Sequence, residues 1–232
     1  SVNLIANRLN YPLNSVYRIM TTLERRKYVS KQSGESVFVL SEKLLKLATP
    51  VAGEPAFIEM ALPKMRSLRD SSQETVLAGV LVGEEGVVLE QVEGLHSFSF
   101  RVNPGLRFPL HTAAPGKIFL SQLEPKRRTS MIGKLKLAKF TSKTIISKEG
   151  LEEEIQKVLD LGYAIDYEEE IKGQACIGAP VFGRNAKLAG SIWLVAPTSR
   201  LPKKKVPDVA SMVMKSADEI SLALGNQFLR VA

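Results

Sequence analysis

Two kinds of periodicity in one chain predict an α+β fold in two parts. Residues 1–48 carry helix-spaced apolar positions, then two β-rich runs around a glycine turn. From residue 74 onward, alternating runs and 3.6-spaced runs are interspersed, which predicts a mostly antiparallel sheet with flanking helices. Two prolines and a glycine within 49–55 mark the boundary between the parts. The expected organisation is a small module over 1–48, a linker helix region over 49–73 and a larger domain over 74–232.

In the first module, Val2, Leu4, Ile5 and Leu9 give a short helix, and Asn10-Tyr11-Pro12 breaks it. A second helix is predicted from Leu13 to about Lys27. Val16, Ile19, Met20 and Leu23 follow the i, i+3, i+4, i+7 spacing of one buried face. Residues 28–31 and 36–40 flank Gln32-Ser33-Gly34-Glu35 and read as a hairpin. Helix, tight turn, polar-faced helix and hairpin come in the order of a winged helix-turn-helix, which lays its second helix in the major groove. The alternative is an αα-hairpin whose outer face is merely solvated. A helix-turn-helix core normally needs a third helix over its apolar side. Either a preceding helix or a linker helix is expected to supply it, and residues 41–47 continue the first module as a short helix.

Charge supports the nucleic-acid reading. The chain holds 32 basic and 24 acidic residues, net +8. Residues 1–48 hold eight basic and three acidic side chains, so a fifth of the chain carries +5 of that excess. Such a patch attracts polyanions. On the predicted second helix, Arg18 has the fork to read guanine and Asn14 the amide to read adenine. Ser15, Tyr17, Thr21, Thr22 and Arg25 share its polar side, and Lys31 on the hairpin is placed to touch backbone phosphate.

In the second part, residues 57–69 resume helical spacing, with a kink predicted at Pro63. Residues 75–82 and 87–92 around Gly83-Glu84-Glu85-Gly86 predict a hairpin. Residues 97–102 alternate, with Phe98 and Phe100 against Ser97, Ser99 and Arg101, and predict a further strand. A helix over 113–123 takes Pro115 in its first turn. An amphipathic helix over 151–161 stops at Gly162. Strands at 175–182 and 188–196 and a helix from Val206 to about Leu224 complete the chain.

Composition excludes several classes. At 44% hydrophobic and 24% charged, the chain is not a disordered tail. No run approaches the ~18 apolar residues of a membrane span, so no membrane role is expected. No charged leader precedes an apolar run at the N-terminus. The chain starts at Ser1 rather than Met, which leaves a trimmed start open. A single cysteine, Cys176, allows no intramolecular disulfide and fits the cytoplasm. No phosphate loop, metal-ligand spacing or nucleophile motif is present, so no cofactor, metal or catalytic residue is expected. The enzymatic alternative is a hydrolase or transferase in which Cys176 pairs with His96 or His111 and Asp166 orients the histidine.

The order of motifs resembles the IclR family of bacterial transcription regulators across nearly the whole chain. The first region resembles the family's DNA-binding part through Ile5-Ala6, Pro12, Ser15-Val16-Tyr17-Arg18, Leu23-Glu24 and Tyr28-Val29. The second resembles its effector domain through three stretches: 109–117, Thr141 with Thr144-Ile145, and 162–169 followed by Gly173 and 176–182. The resemblance implies a GAF/profilin-like second domain and a homodimer or homotetramer. The implied partners are double-stranded operator DNA and a small organic effector. It places the effector pocket at Ala114, Pro115, Asp166, Cys176, Trp193 and Val195, with Phe100 depending on loop length. Where family members that bind small polar acids carry small hydroxyl residues, this chain has Trp193 and Val195, which implies an aromatic or less polar effector.

Simpler readings stand beside these. Trp193 fits a core tryptophan, Cys176 a buried apolar thiol and Asp166 a turn residue. The three glutamates at 168–170 read as a solvated run, and the lysines at 203–205 as an exposed loop.

Overall fold

Helix α1 (Val2–Leu9) starts on Ser1, whose hydroxyl accepts a hydrogen bond from the Leu4 amide at 3.4 Å. The computed structural model describes residues 1–31, 37–41 and 57–226. They belong to two compact units, Ser1–Gly53 and Glu54–Ala232. Asn10 ends α1 in the left-handed region (φ 51°), and the Tyr11 amide turns back to the Ala6 carbonyl at 3.0 Å. Pro12 then opens α2 (Leu13–Arg25) at a helix end that needs no amide donor.

Val2, Ala6, Val16, Met20 and Val29 bury one another in the first unit. Ile19 departs from the predicted buried face: it is 51% exposed. Among the described residues, the covered stripe of α2 is Val16 and Met20, with Leu23 half-buried. Strands β1 (Val29–Lys31) and β2 (Phe38–Leu40) pair antiparallel, with Ser30 opposite Val39. The predicted hairpin turn at 32–35, the helix over 41–47 and the joint at 50–55 lie outside the described residues, except for Ser41.

The second unit is built on one six-stranded sheet with every pairing antiparallel. Its order is β5 (Arg107–Phe108), β4 (Glu85–Val92), β3 (Thr75–Val82), β8 (Leu188–Pro197), β7 (Gln174–Phe182) and β6 (Ala164–Tyr167). Side chains alternate across such a sheet, and the strands other than β5 divide their residues between two cores. On β8, Ile192, Leu194 and Ala196 pack against helices α3 (Phe57–Ser72) and α7 (Val206–Ala223), while Trp193 and Val195 face the other way. On β7, Ile177 and Ala179 join the first core and Cys176 the second. The second core is closed by α4 (Ala114–Ser121), α5 (Pro125–Lys134) and α6 (Lys148–Leu161). Ser147 caps α6, and Gly162 stops it in the left-handed region (φ 78°).

Several predicted elements change in detail. Helix α3 continues past Pro63 as one element and buries Phe57, Ala61, Met65 and Leu68 in the first of these cores. The β3–β4 turn is only Gly83-Glu84, so strand pairing reaches Glu85. Residues 97–102 form no strand. Their backbone groups are bonded by side chains instead: Thr75 donates to the Phe100 carbonyl at 3.0 Å, and Gln91 accepts from the Val102 amide at 2.6 Å. Helix α5 has no counterpart in the sequence reading, because its apolar content is slight and only Met131 and Ile132 are buried.

Helix α4 approaches the preceding chain closely. A Cβ on Gly116 would stand 2.5 Å from the Leu110 Cα and 2.6 Å from its carbonyl oxygen. Both are backbone atoms, so no rotamer change relieves the contact. Gly116→Ala is expected to cost ~1–3 kcal/mol as an overpacking change, read as a lower urea midpoint. An unchanged midpoint would show that the α4 contact yields freely.

Candidate functional site

The alternation of β8 aims Trp193 and Val195 into a chamber on the α4 side of the sheet. Bare backbone on both neighbouring strands makes room for the indole. Gly178 of β7 sits directly opposite Trp193, and a Cβ there would stand 3.1 Å from the Trp193 Cβ. On β3, a Cβ on Gly79 would stand 2.9 Å from the ring and 2.4 Å from the Val87 carbonyl oxygen. Phe108 meets the indole edge-on, with centroids 5.5 Å apart. Phe100 and Val102 close the chamber from the segment that Thr75 and Gln91 hold. The space is about 580 Å³, counting its open mouth.

Phe100, Pro115, Asp166, Cys176, Trp193 and Val195, all singled out in the sequence, line this one cavity. Ala114 does not; it is fully buried, while its chain neighbours Ala113 and Pro115 line the cavity. Phe108, Glu170 and Gln174 also line the chamber, and the sequence placed none of them there.

The polar side of the chamber comes from β6 and the turn after it. Asp166 lies opposite Cys176 in the sheet and is 1% exposed. One of its oxygens, Oδ1, accepts from the Glu169 amide at 2.8 Å. Glu168 takes the left-handed region (φ 65°), which turns the chain back toward β7. The predicted solvated run at 168–170 is corrected here: Glu169 is buried, Glu168 pairs with Lys143, and Glu170 accepts from Thr112 at 3.3 Å.

The cause is Lys117. Every residue of α4 is buried, this lysine included. Its ammonium donates to Glu169 Oε1 at 2.5 Å, to the Ile165 carbonyl at 2.7 Å and to Glu154 Oε1 of α6 at 3.4 Å. Thr141 donates to the Glu168 carbonyl and Thr144 to the Glu169 carbonyl, each at 2.6 Å. The signal for this cluster was a lysine inside an otherwise apolar run, 113–120, which requires a buried partner.

Burial governs the titration of these groups. It pushes the Asp166 carboxyl up to about 7, against the pull of the Glu169 amide; the charges of Glu169 and Glu170 push the same way. It pushes Glu169 up against the attraction of Lys117, and Glu170 up against its hydrogen bond from Thr112. The Cys176 thiol is pushed well above its ordinary value, first by burial and then by Asp166. Gln174 donates to that thiol at 3.4 Å. His111 bonds to the Ala138 carbonyl at 3.0 Å, and His96 lies 3.6 Å from Glu74. The histidines and the thiol are therefore engaged in separate places, and the thiol is held protonated, which is the reverse of an activated nucleophile.

On α2 of the first unit, Asn14, Tyr17, Arg18, Thr21, Thr22 and Arg25 are exposed and Ser15 is half-buried. Lys31 is exposed on β1. Asn14, Arg18, Thr21 and Arg25 recur at helical spacing along one stripe. The Thr22 hydroxyl donates to the Arg18 carbonyl at 2.9 Å, so its proton is committed within the helix.

Because Asp166 is protonated more readily in the folded chain, its contribution is full below the ordinary value of 3.8. That contribution is lost as pH rises through about 7. Asp166→Asn keeps an oxygen for the Glu169 amide and removes the buried charge. It is expected to raise the urea midpoint at pH 8, with the gain shrinking toward pH 5. A gain of equal size at both pH values would contradict the buried-charge reading.

Comparison with known proteins places this geometry. The family model described as bacterial transcriptional regulator IclR C-terminal matches residues 52–222. The transcriptional repressor IclR of Escherichia coli K12 is 26% identical over 223 residues, covering 95% of this chain and 81% of the relative. The repressor AllR of the same organism is 27% identical over 225 residues, covering 97% and 83%. The Thermotoga maritima IclR structure aligns with a TM-score of 0.74 at 26% identity, over 97% of this chain and 91% of that one. An IclR homologue of Microbacterium hydrocarbonoxydans, complexed with 4-hydroxybenzoate, aligns with a TM-score of 0.83 at 18% identity, over 97% and 91%. Among the described residues, no helix is long and apolar enough to cross a membrane. With the family model spanning most of the chain and full-length relatives named as regulators, the chain belongs to the IclR family of bacterial transcriptional regulators.

Proposed function

We propose that the first unit is a winged helix-turn-helix that reads operator DNA with α2, and that a small organic effector in the Trp193 chamber sets its affinity. The observation that carries this reading is the exposed stripe Asn14, Arg18, Thr21 and Arg25 in a chain of a transcription-regulator family. Arg18 reads a base edge, and Asn14 a second one. Ser15, Tyr17, Thr21, Thr22 and Arg25 add base or phosphate contacts, and Lys31 on the wing holds backbone. The chain works in the cytoplasm as a homodimer or homotetramer, with recognition helices spaced for half-sites ~34 Å apart or a multiple of that.

Phe100, Pro115, Asp166, Cys176, Trp193 and Val195 form the effector site, with Ala114 buried next to Pro115 in the chain. The aromatic wall suits a ringed or otherwise apolar molecule, and a structural neighbour that holds 4-hydroxybenzoate shares this fold. The effector acts by preferring one arrangement of the recognition helices, so operator and effector change each other's affinity by the same factor.

Electrophoretic mobility shift across a salt series tests the DNA half. Arg18→Ala is expected to cost ~1–3 kcal/mol on the operator and to relax preference at one base position. An equal loss on random duplex would instead assign Arg18 to phosphate. Lys31→Ala is expected to weaken all duplexes alike and to reduce the salt slope by about 1. A slope identical to the parent's would remove Lys31 from the interface.

A further inference from the structure

We infer that the chamber selects a small aromatic cation, such as an aralkyl ammonium, over the isosteric carboxylic acid. The inference deepens the effector-site reading above and rests on it.

The charge complement of the chamber is one-sided. Asp166 and Glu170 line it, and among the described residues no lysine, arginine or histidine does. The nearest ammonium, Lys117, is fully buried and has three acceptors for its three protons: Glu169, Glu154 and the Ile165 carbonyl. It has none left for a ligand. Helix α4 begins at the chamber, where Ala113 and Pro115 line it; the Ala113 amide donates to the Pro109 carbonyl at 3.4 Å, and Pro115 has no amide to offer. An anionic ligand would therefore add a negative charge to a wall that already holds two carboxyl groups, with no counter-charge in reach.

A cation meets the opposite situation. The Asp166 carboxyl uses Oδ1 on the Glu169 amide, and among the described residues its Oδ2 takes no hydrogen bond. An ammonium placed there gains a charge-assisted hydrogen bond. Its ring lies against Trp193 and Phe108, whose faces also attract a cation. The groups facing Asp166 are Glu169 and Glu170 on the following turn, Lys117 on α4 and the Cys176 thiol on β7. Burial keeps that thiol protonated and neutral. Asp166 is thus the group whose ionisation sets the pH response, and the grip on an ammonium strengthens as pH rises through about 7.

The test is calorimetric titration of the full chain with 2-phenylethylamine, 2-phenylethanol and 3-phenylpropionate at pH 6 and pH 8. The amine is expected to bind about tenfold or more tightly than the alcohol at pH 8, with a smaller advantage at pH 6 and no measurable binding of the acid. Asp166→Asn is expected to bring the amine's affinity down to that of the alcohol, and Glu170→Gln to reduce the amine's advantage. The acid or the alcohol binding as tightly as the amine would overturn the charge selection and leave the effector site standing. Binding of all three that is unaffected by Trp193→Ala would overturn the site itself, and so would binding of none.

Discussion

A lysine ammonium with no access to water, held by two carboxylates and a carbonyl, is the constraint around which the second unit is arranged. Lys117 could not be buried alone, since an unpaired charge in an apolar core costs several kcal/mol. Its partners come from three elements: Glu154 from α6, the Ile165 carbonyl from β6 and Glu169 from the turn beyond. The pairing therefore fixes where α4 and α6 lie against the sheet edge. It also fixes the backbone of 166–170, because the amide of the same Glu169 binds Asp166. Asp166 and Glu170 then face the chamber as a consequence of the bond made by the residue between them. The acidic side of the cavity is set by a clamp that is not itself part of the cavity.

The sheet separates stability from ligand chemistry by its two-residue period. One set of side chains on β3, β7 and β8 packs under α3 and α7 and is wholly aliphatic. The other set holds Leu77, Cys176, Trp193 and Val195 and supplies the chamber floor. A substitution on the second set can change the ligand without disturbing the first. Trp193 shows the condition for this: so large a side chain is accommodated because Gly79 and Gly178 leave backbone beside it.

Much of this was legible in the sequence, for identifiable reasons. The β7 and β8 runs are long, apolar and bounded by a turn, and α6 has both a periodic face and a glycine stop, so their existence follows from pattern alone. Six lining residues followed from motif resemblance, and the fold brings them to one place. Residues 97–102 alternate like a strand yet pair with none, and side chains of Thr75 and Gln91 bond the Phe100 carbonyl and the Val102 amide. The glutamates at 168–170 look solvated in one dimension. The burial of Glu169 and the fixed backbone around it depend on Lys117 some fifty residues earlier and on Thr141 and Thr144, which a linear reading sees only as separate motif fragments. Ile19 was misplaced because helical spacing gives the direction of a face and not the width of what covers it.

The most direct measurement concerns the clamp. Urea unfolding at pH 8 would compare the parent chain with Lys117→Met and with the double variant Lys117→Met, Glu169→Gln. Removing the ammonium leaves Glu169 as a buried charge without its partner, so the single variant is expected to lose ~3–5 kcal/mol. Neutralising Glu169 as well should restore most of that loss. A single variant as stable as the parent, or a double variant no better than the single, would contradict the view that this buried pair holds the chamber's acidic wall in place.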